Sequence, residues 1–115
     1  MEDLVPRLFS TNELHSRLFG SLKEVLDNLG PYIVEEKKTS VHVVAGRSAF
    51  IGVHPRKDGL RLNLVLTREL KDARVLKCER VSAKRFHNEL DLRAPSDLDA
   101  EMASWLVEAY HRASK

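Results

Sequence analysis

The sequence predicts an α+β domain: an antiparallel sheet of about five strands, with an N-terminal and a C-terminal amphipathic helix packed on one face. Three observations carry this expectation. Apolar residues near the N-terminus recur at three- and four-residue steps, the period falls toward two between Tyr32 and Leu66, and a second helical pattern returns after Pro95. At 115 residues and 43% hydrophobic, the chain suits one domain spanning 1–115, because smaller pieces would bury too little to fold.

Ser10-Thr11-Asn12-Glu13 reads as a capping box, and Leu14, Leu18, Leu22, Val25, Leu26 and Leu29 form the stripe of the helix it would start. Gly30-Pro31 marks its end. Val41–Ala45 and Ala49–His54 flank Gly46-Arg47-Ser48, so they read as one hairpin, and Asp58-Gly59 turns the chain into the next strand. Pro55 should end its strand, since it has no N–H for a ladder. Leu60, Leu62, Leu64 and Leu66 alternate strictly and give the clearest strand. Residues 67–74 suit either a loop or one helical turn; Val75–Arg80 reads as a short strand, and Phe86, Asn88, Leu90 and Leu92 as the apolar edge of another. Ser96 and Asp99 resemble a second capping box, before a stripe of Leu98, Met102, Trp105, Leu106, Ala109 and Tyr110.

Charge is segregated along the chain. Residues 1–30 hold three Lys/Arg against five Asp/Glu, residues 94–115 two against four, and residues 31–93 fourteen against eight. The β-region therefore carries +6 between two ends of −2 each, which sum to the formal +2. With the four leucines buried, Arg61 and Asn63 point outward, and Arg56 and Lys57 sit at the preceding turn. If Ala49, Ile51 and Val53 are buried, Phe50 and His54 join them. An aromatic ring beside Arg and His on an open sheet suits base stacking and phosphate neutralisation. The candidate binding surface is Arg47, Phe50, His54, Arg56, Lys57, Arg61, Asn63 and His87. Basic residues that merely keep an open face and its edges soluble would look the same.

Little catalytic chemistry is visible. The histidines His15, His42, His54, His87 and His111 show no metal-ligand spacing, although His42, His54 and His87 could converge across strands. Glu35 and Glu36 fall on opposite strand faces, whereas Glu89 and Asp91 share one that should face water. Cys78, the single cysteine, allows no internal disulfide; it has Lys77 and Arg80 nearby but no neighbouring base, so a small buried strand residue is the expectation. No phosphate loop, serine elbow or dinucleotide fingerprint occurs. No catalytic, metal or cofactor residue is therefore assigned. The N-terminus lacks the pattern of a secretory signal, no apolar run is long enough to span a membrane, and a reducing cytoplasm is the expected location.

Leu29-Gly30-Pro31, the Ala49-Phe50 strand, Lys57-Asp58-Gly59-Leu60-Arg61-Leu62, and Asp97-Leu98-Asp99 ahead of Trp105-Leu106 and Ala109-Tyr110 together carry a likeness. Over residues 10–113 the chain resembles an uncharacterised bacterial domain, family five-six-five-five among the domains of unknown function. That resemblance implies small stand-alone proteins or C-terminal appendages of larger ones, some with nuclease-like or transport labels, and it establishes no catalytic residue. The leading expectation is a non-enzymatic binding module whose basic sheet engages an anionic partner, nucleic acid or an acidic protein. The alternatives are a homodimerisation or protein-interaction domain using an exposed strand or an apolar patch around Phe50, and a small-ligand binder or enzyme with a pocket gathering His54, His87 and Asn63. Monomer and homodimer both stay open.

Overall fold

Asn12, rather than Ser10, starts the first long helix. In the computed structural model, which describes residues 5–114, a single turn α1 (Arg7–Ser10) precedes α2 (Glu13–Leu26). The Asn12 side chain accepts from the His15 N–H at 3.0 Å, while the Ser10 hydroxyl donates to the Arg7 carbonyl at 3.1 Å and so belongs to α1. Glu2 and Asp3, part of the N-terminal acidic excess, lie outside the described residues. Along α2, His15, Leu18, Phe19, Leu22 and Leu26 are buried, a stripe rotated slightly from the expected one, with His15 and Phe19 taking the places of Leu14 and Val25.

Among the described residues the sheet has six strands: β1 (Ile33–Glu36), β2 (Val41–Ala45), β3 (Ser48–Arg56), β4 (Gly59–Leu66), β5 (Lys77–Ser82) and β6 (Arg85–Leu92). Their order is β1-β2-β3-β4-β6-β5, every neighbouring pair antiparallel. The strand beyond the expected five arises because Lys37 and Ser40 close a turn that separates β1 from β2. Pro55 does not end β3; it pairs with Leu60, one residue short of the end. The β2 ladder stops at Val53, so Pro55 has a strand neighbour on one side only and its missing N–H is tolerated.

Leu60, Leu62, Leu64 and Leu66 all face inward as the alternation predicts, and α2 and α3 (Ala100–Ser114) both pack on β4. Asp99, not Ser96, caps α3, accepting from the Met102 N–H at 2.9 Å, and its stripe of Met102, Trp105, Leu106, Ala109 and Tyr110 is buried. Gly30 leaves room for α3: a Cβ there would strike the Tyr110 hydroxyl, which donates to the Pro31 carbonyl at 2.9 Å.

Phe50 corrects the expected face assignment. Ile51 pairs with Val43, yet Val44 pairs with Ala49, so Phe50 is an extra residue in a β-bulge. The bulge breaks the alternation, and Phe50 turns inward beside Ile51, fully buried, with its ring edge-on to Tyr110 at 5.4 Å. Beyond Ile51 and Leu64 the β3–β4 ladder stops, and Arg112 of α3 bridges the parted strands, donating to the Val65 carbonyl at 3.1 Å and the Ala49 carbonyl at 3.2 Å.

Residues 67–76 form a loop crossing from β4 to the far edge strand. Asn88, fully buried on β6, holds it by accepting from the Leu70 N–H at 3.0 Å and donating to the Arg68 carbonyl at 3.2 Å. Arg74 fastens the loop to α3 through Asp99 and Glu101, and its guanidinium lies over the Trp105 ring at 4.8 Å. Asn88→Ala orphans the buried Leu70 N–H, and chemical denaturation should show a loss of about 1–3 kcal/mol.

Candidate functional site

The two-residue turn Lys57-Asp58 joins β3 to β4, and the end of β6 lies beside it because β6 pairs with β4. The approach is tight: a Cβ on Gly59 would run into the Leu92 carbonyl and come within 3.1 Å of the Arg93 Cα. Around this junction opens a cleft of about 470 Å³, lined by Arg56, Lys57, Asp58, Arg61, Asp91 and Arg93 with Pro55, Gly59 and Leu60. Four cations face two carboxylates there, an excess of two positive charges.

The cations are not equivalent. Arg61 is clamped by Asp91, with Nε to Oδ1 at 2.8 Å and Nη2 to Oδ2 at 3.3 Å. That hydrogen-bonded guanidinium holds the Asp91 carboxyl below its ordinary range, and the carboxylate in turn raises the Arg61 value. Arg93 shares Asp91 at 3.4 Å, while its backbone N–H is fixed by the Asp97 carboxylate at 2.8 Å. Arg56 and Lys57 are exposed and make no ion pair among the described residues. His15 donates from Nε2 to the Arg56 carbonyl at 2.7 Å and anchors the hairpin to α2. Arg61 and Asp91 thus brace the cleft, and Arg56, Lys57 and Arg93 present charge.

Three of the sequence candidates, Arg56, Lys57 and Arg61, meet in this cleft, and Arg93 joins them unforeseen. Arg47 does not: it sits in the β2–β3 turn, at the opposite end of the nine-residue β3, about 25 Å away by strand rise. Phe50 is lost to the core. His54, Asn63 and His87 occupy three successive outer-face rows, opposite Arg61, Gly52 and Val65 respectively, and form a diagonal rather than a pocket. Burial is the first cause that lowers both imidazoles, leaving His54 and His87 uncharged near neutral pH. Asn63 Oδ1 is sealed from solvent with no hydrogen-bond partner among the described residues.

The middle of the outer face is not basic. By register it carries Glu35, Glu79 and Glu89 against Lys77, so the positive excess of the β-region gathers at its ends. No Phe, Tyr or Trp occupies an outer-face position among the described residues. Cys78 is half-buried rather than buried, and the partial loss of solvent still pushes its thiol up, away from the reactive thiolate. Among the described residues, no three His, Cys, Asp or Glu gather as a metal site requires, and no helix is long and apolar enough to cross a membrane.

Fold and cleft together define a small α+β domain, an open antiparallel sheet with a cationic hollow at one end. The chain belongs to the family described as Domain of unknown function (DUF5655), which it matches over residues 8–113. No curated protein and no solved structure matches it.

Proposed function

We propose that the domain is a non-enzymatic binding module that engages an anionic partner, a nucleic-acid backbone above all, through the cleft at the β3–β4 turn. The observation that carries this reading is the convergence of Arg56, Lys57 and Arg93 around a hollow with too few carboxylates to neutralise them. Phosphates suit such a site because each contact releases condensed counterions as well as pairing charge. The outer face has no Phe, Tyr or Trp among the described residues, which favours backbone contact over base stacking. Cys78, free and alone, suits a reducing cytoplasm.

Fluorescence anisotropy with labelled single- and double-stranded DNA, RNA and a polyglutamate peptide, each at two salt concentrations, tests the proposal. Binding should weaken with salt, with a log–log slope of about −2 to −3 for two or three phosphate contacts. Absence of binding to every polyanion at low salt, or binding indifferent to salt, would contradict it.

Asp91→Asn separates binding from stability. A carboxylate with a depressed folded pKa contributes stability above its unfolded value of about 3.9, and that contribution is lost as pH falls through the folded value. The variant should therefore be less stable at neutral pH and show a shallower acid limb in urea unfolding. Removing one of the two cleft carboxylates should at the same time raise polyanion affinity several-fold at low salt.

A further inference from the structure

The open edge of the sheet at β5 carries a different site. Among the described residues β5 pairs with β6 alone, and five of its six residues are exposed. Leu76, just before it, and Val81 within it are 54% and 52% exposed, two of the four large exposed hydrophobics among the described residues. Edge strands commonly resist pairing with Pro or with charged side chains, Lys above all. Here Lys77, Glu79 and Arg80 mix signs, and Lys77 and Glu79 make no ion pair among the described residues.

Mixed signs make the register decisive. When two copies join antiparallel along this edge, the two-fold axis stands perpendicular to the sheet, so residues opposite each other share a face. Because faces alternate along a strand, the axis must fall on a residue. An axis at Lys77, Glu79 or Arg80 sets a charge against its own copy. The register shift between Arg80 and Ser82 interrupts a ladder centred farther along. An axis at Cys78 instead places Lys77 of each copy opposite Glu79 of the other, on the same outer face where they already neighbour Glu89 and His87. Lys77 and Glu79 of each copy then directly face a charge of opposite sign, and Arg80 faces the apolar Leu76.

We infer that the domain forms a two-fold homodimer by antiparallel pairing of β5 with β5 of a second copy, in the register centred on Cys78. The contact is independent of the anion cleft, which lies at the end of the neighbouring strands. Sedimentation equilibrium over a concentration series tests it. Wild type should self-associate, Lys77→Glu and Glu79→Lys should each weaken the dimer about tenfold by opposing like charges twice, and the double exchange should restore it. All three variants change exposed side chains, so circular dichroism should report an unchanged fold. A wild type that stays monomeric at millimolar concentration, single reversals without effect, or a double exchange that fails to recover each overturn the inference. Arg56→Glu with Lys57→Glu should leave dimerisation untouched, so failure here and failure at the cleft are distinguishable.

Discussion

Phe50→Ala lowers the unfolding free energy by about 3–5 kcal/mol, because the ring fills the space between the β-bulge and Tyr110 and its removal leaves a cavity that the backbone cannot close. Guanidinium titrations should show a lower midpoint with an unchanged slope. On an open face the same change would fall within about 0.5 kcal/mol, so the measurement also decides which side of the sheet Phe50 occupies. Phe50→Leu, which keeps an apolar side chain in place, should lose much less.

Arg56→Glu combined with Lys57→Glu is expected to lower affinity for a labelled DNA duplex by about 100-fold at low salt. Two cations become carboxylates, so a cleft with four positive and two negative groups becomes one with two positive and four negative. The slope of log affinity against log salt should flatten by about two, one for each lost phosphate contact. Both side chains are exposed, and His15 holds the Arg56 main chain through its carbonyl, so the hairpin should stay folded. Arg17→Glu, on an exposed helix position, serves as the control and should change little.

The helix, strand and turn types were legible where one local signal dominated. Leu60 to Leu66 alternate without interruption between a turn and a polar loop, and that strand lies where the period places it. The α3 stripe is equally plain. Phe50 was misplaced because a bulge is an insertion relative to the partner strand, and Val44 declares it only once β2 and β3 are in register. The cap of α2 was displaced for a local reason: Ser10, Asn12 and their neighbours all offer capping oxygens, and the extra turn α1 consumes the first of them.

The candidate site divides along the same line. Arg56, Lys57 and Arg61 were found because a hairpin brings near neighbours in sequence together. Arg93 and Asp91 were not, because they arrive on β6, and only the strand order β4-β6 places that strand beside the turn. For the same reason Arg61 looked like a free cation: its partner Asp91 is 30 residues away in sequence. The +6 of the β-region was legible as a sum but not as a distribution. Acidic residues on the outer face neutralise its middle and leave the charge at the ends.

An NMR titration of the ¹⁵N-labelled domain with a short DNA duplex tests the central claim most directly. Amide shifts at residues 56–61 and 91–93 should move together and saturate at low salt, while those of α2 and α3 outside the hairpin contact stay in place. Shifts confined to the helices or to the middle of the outer face, or none at all, would contradict a partner seated in the cleft.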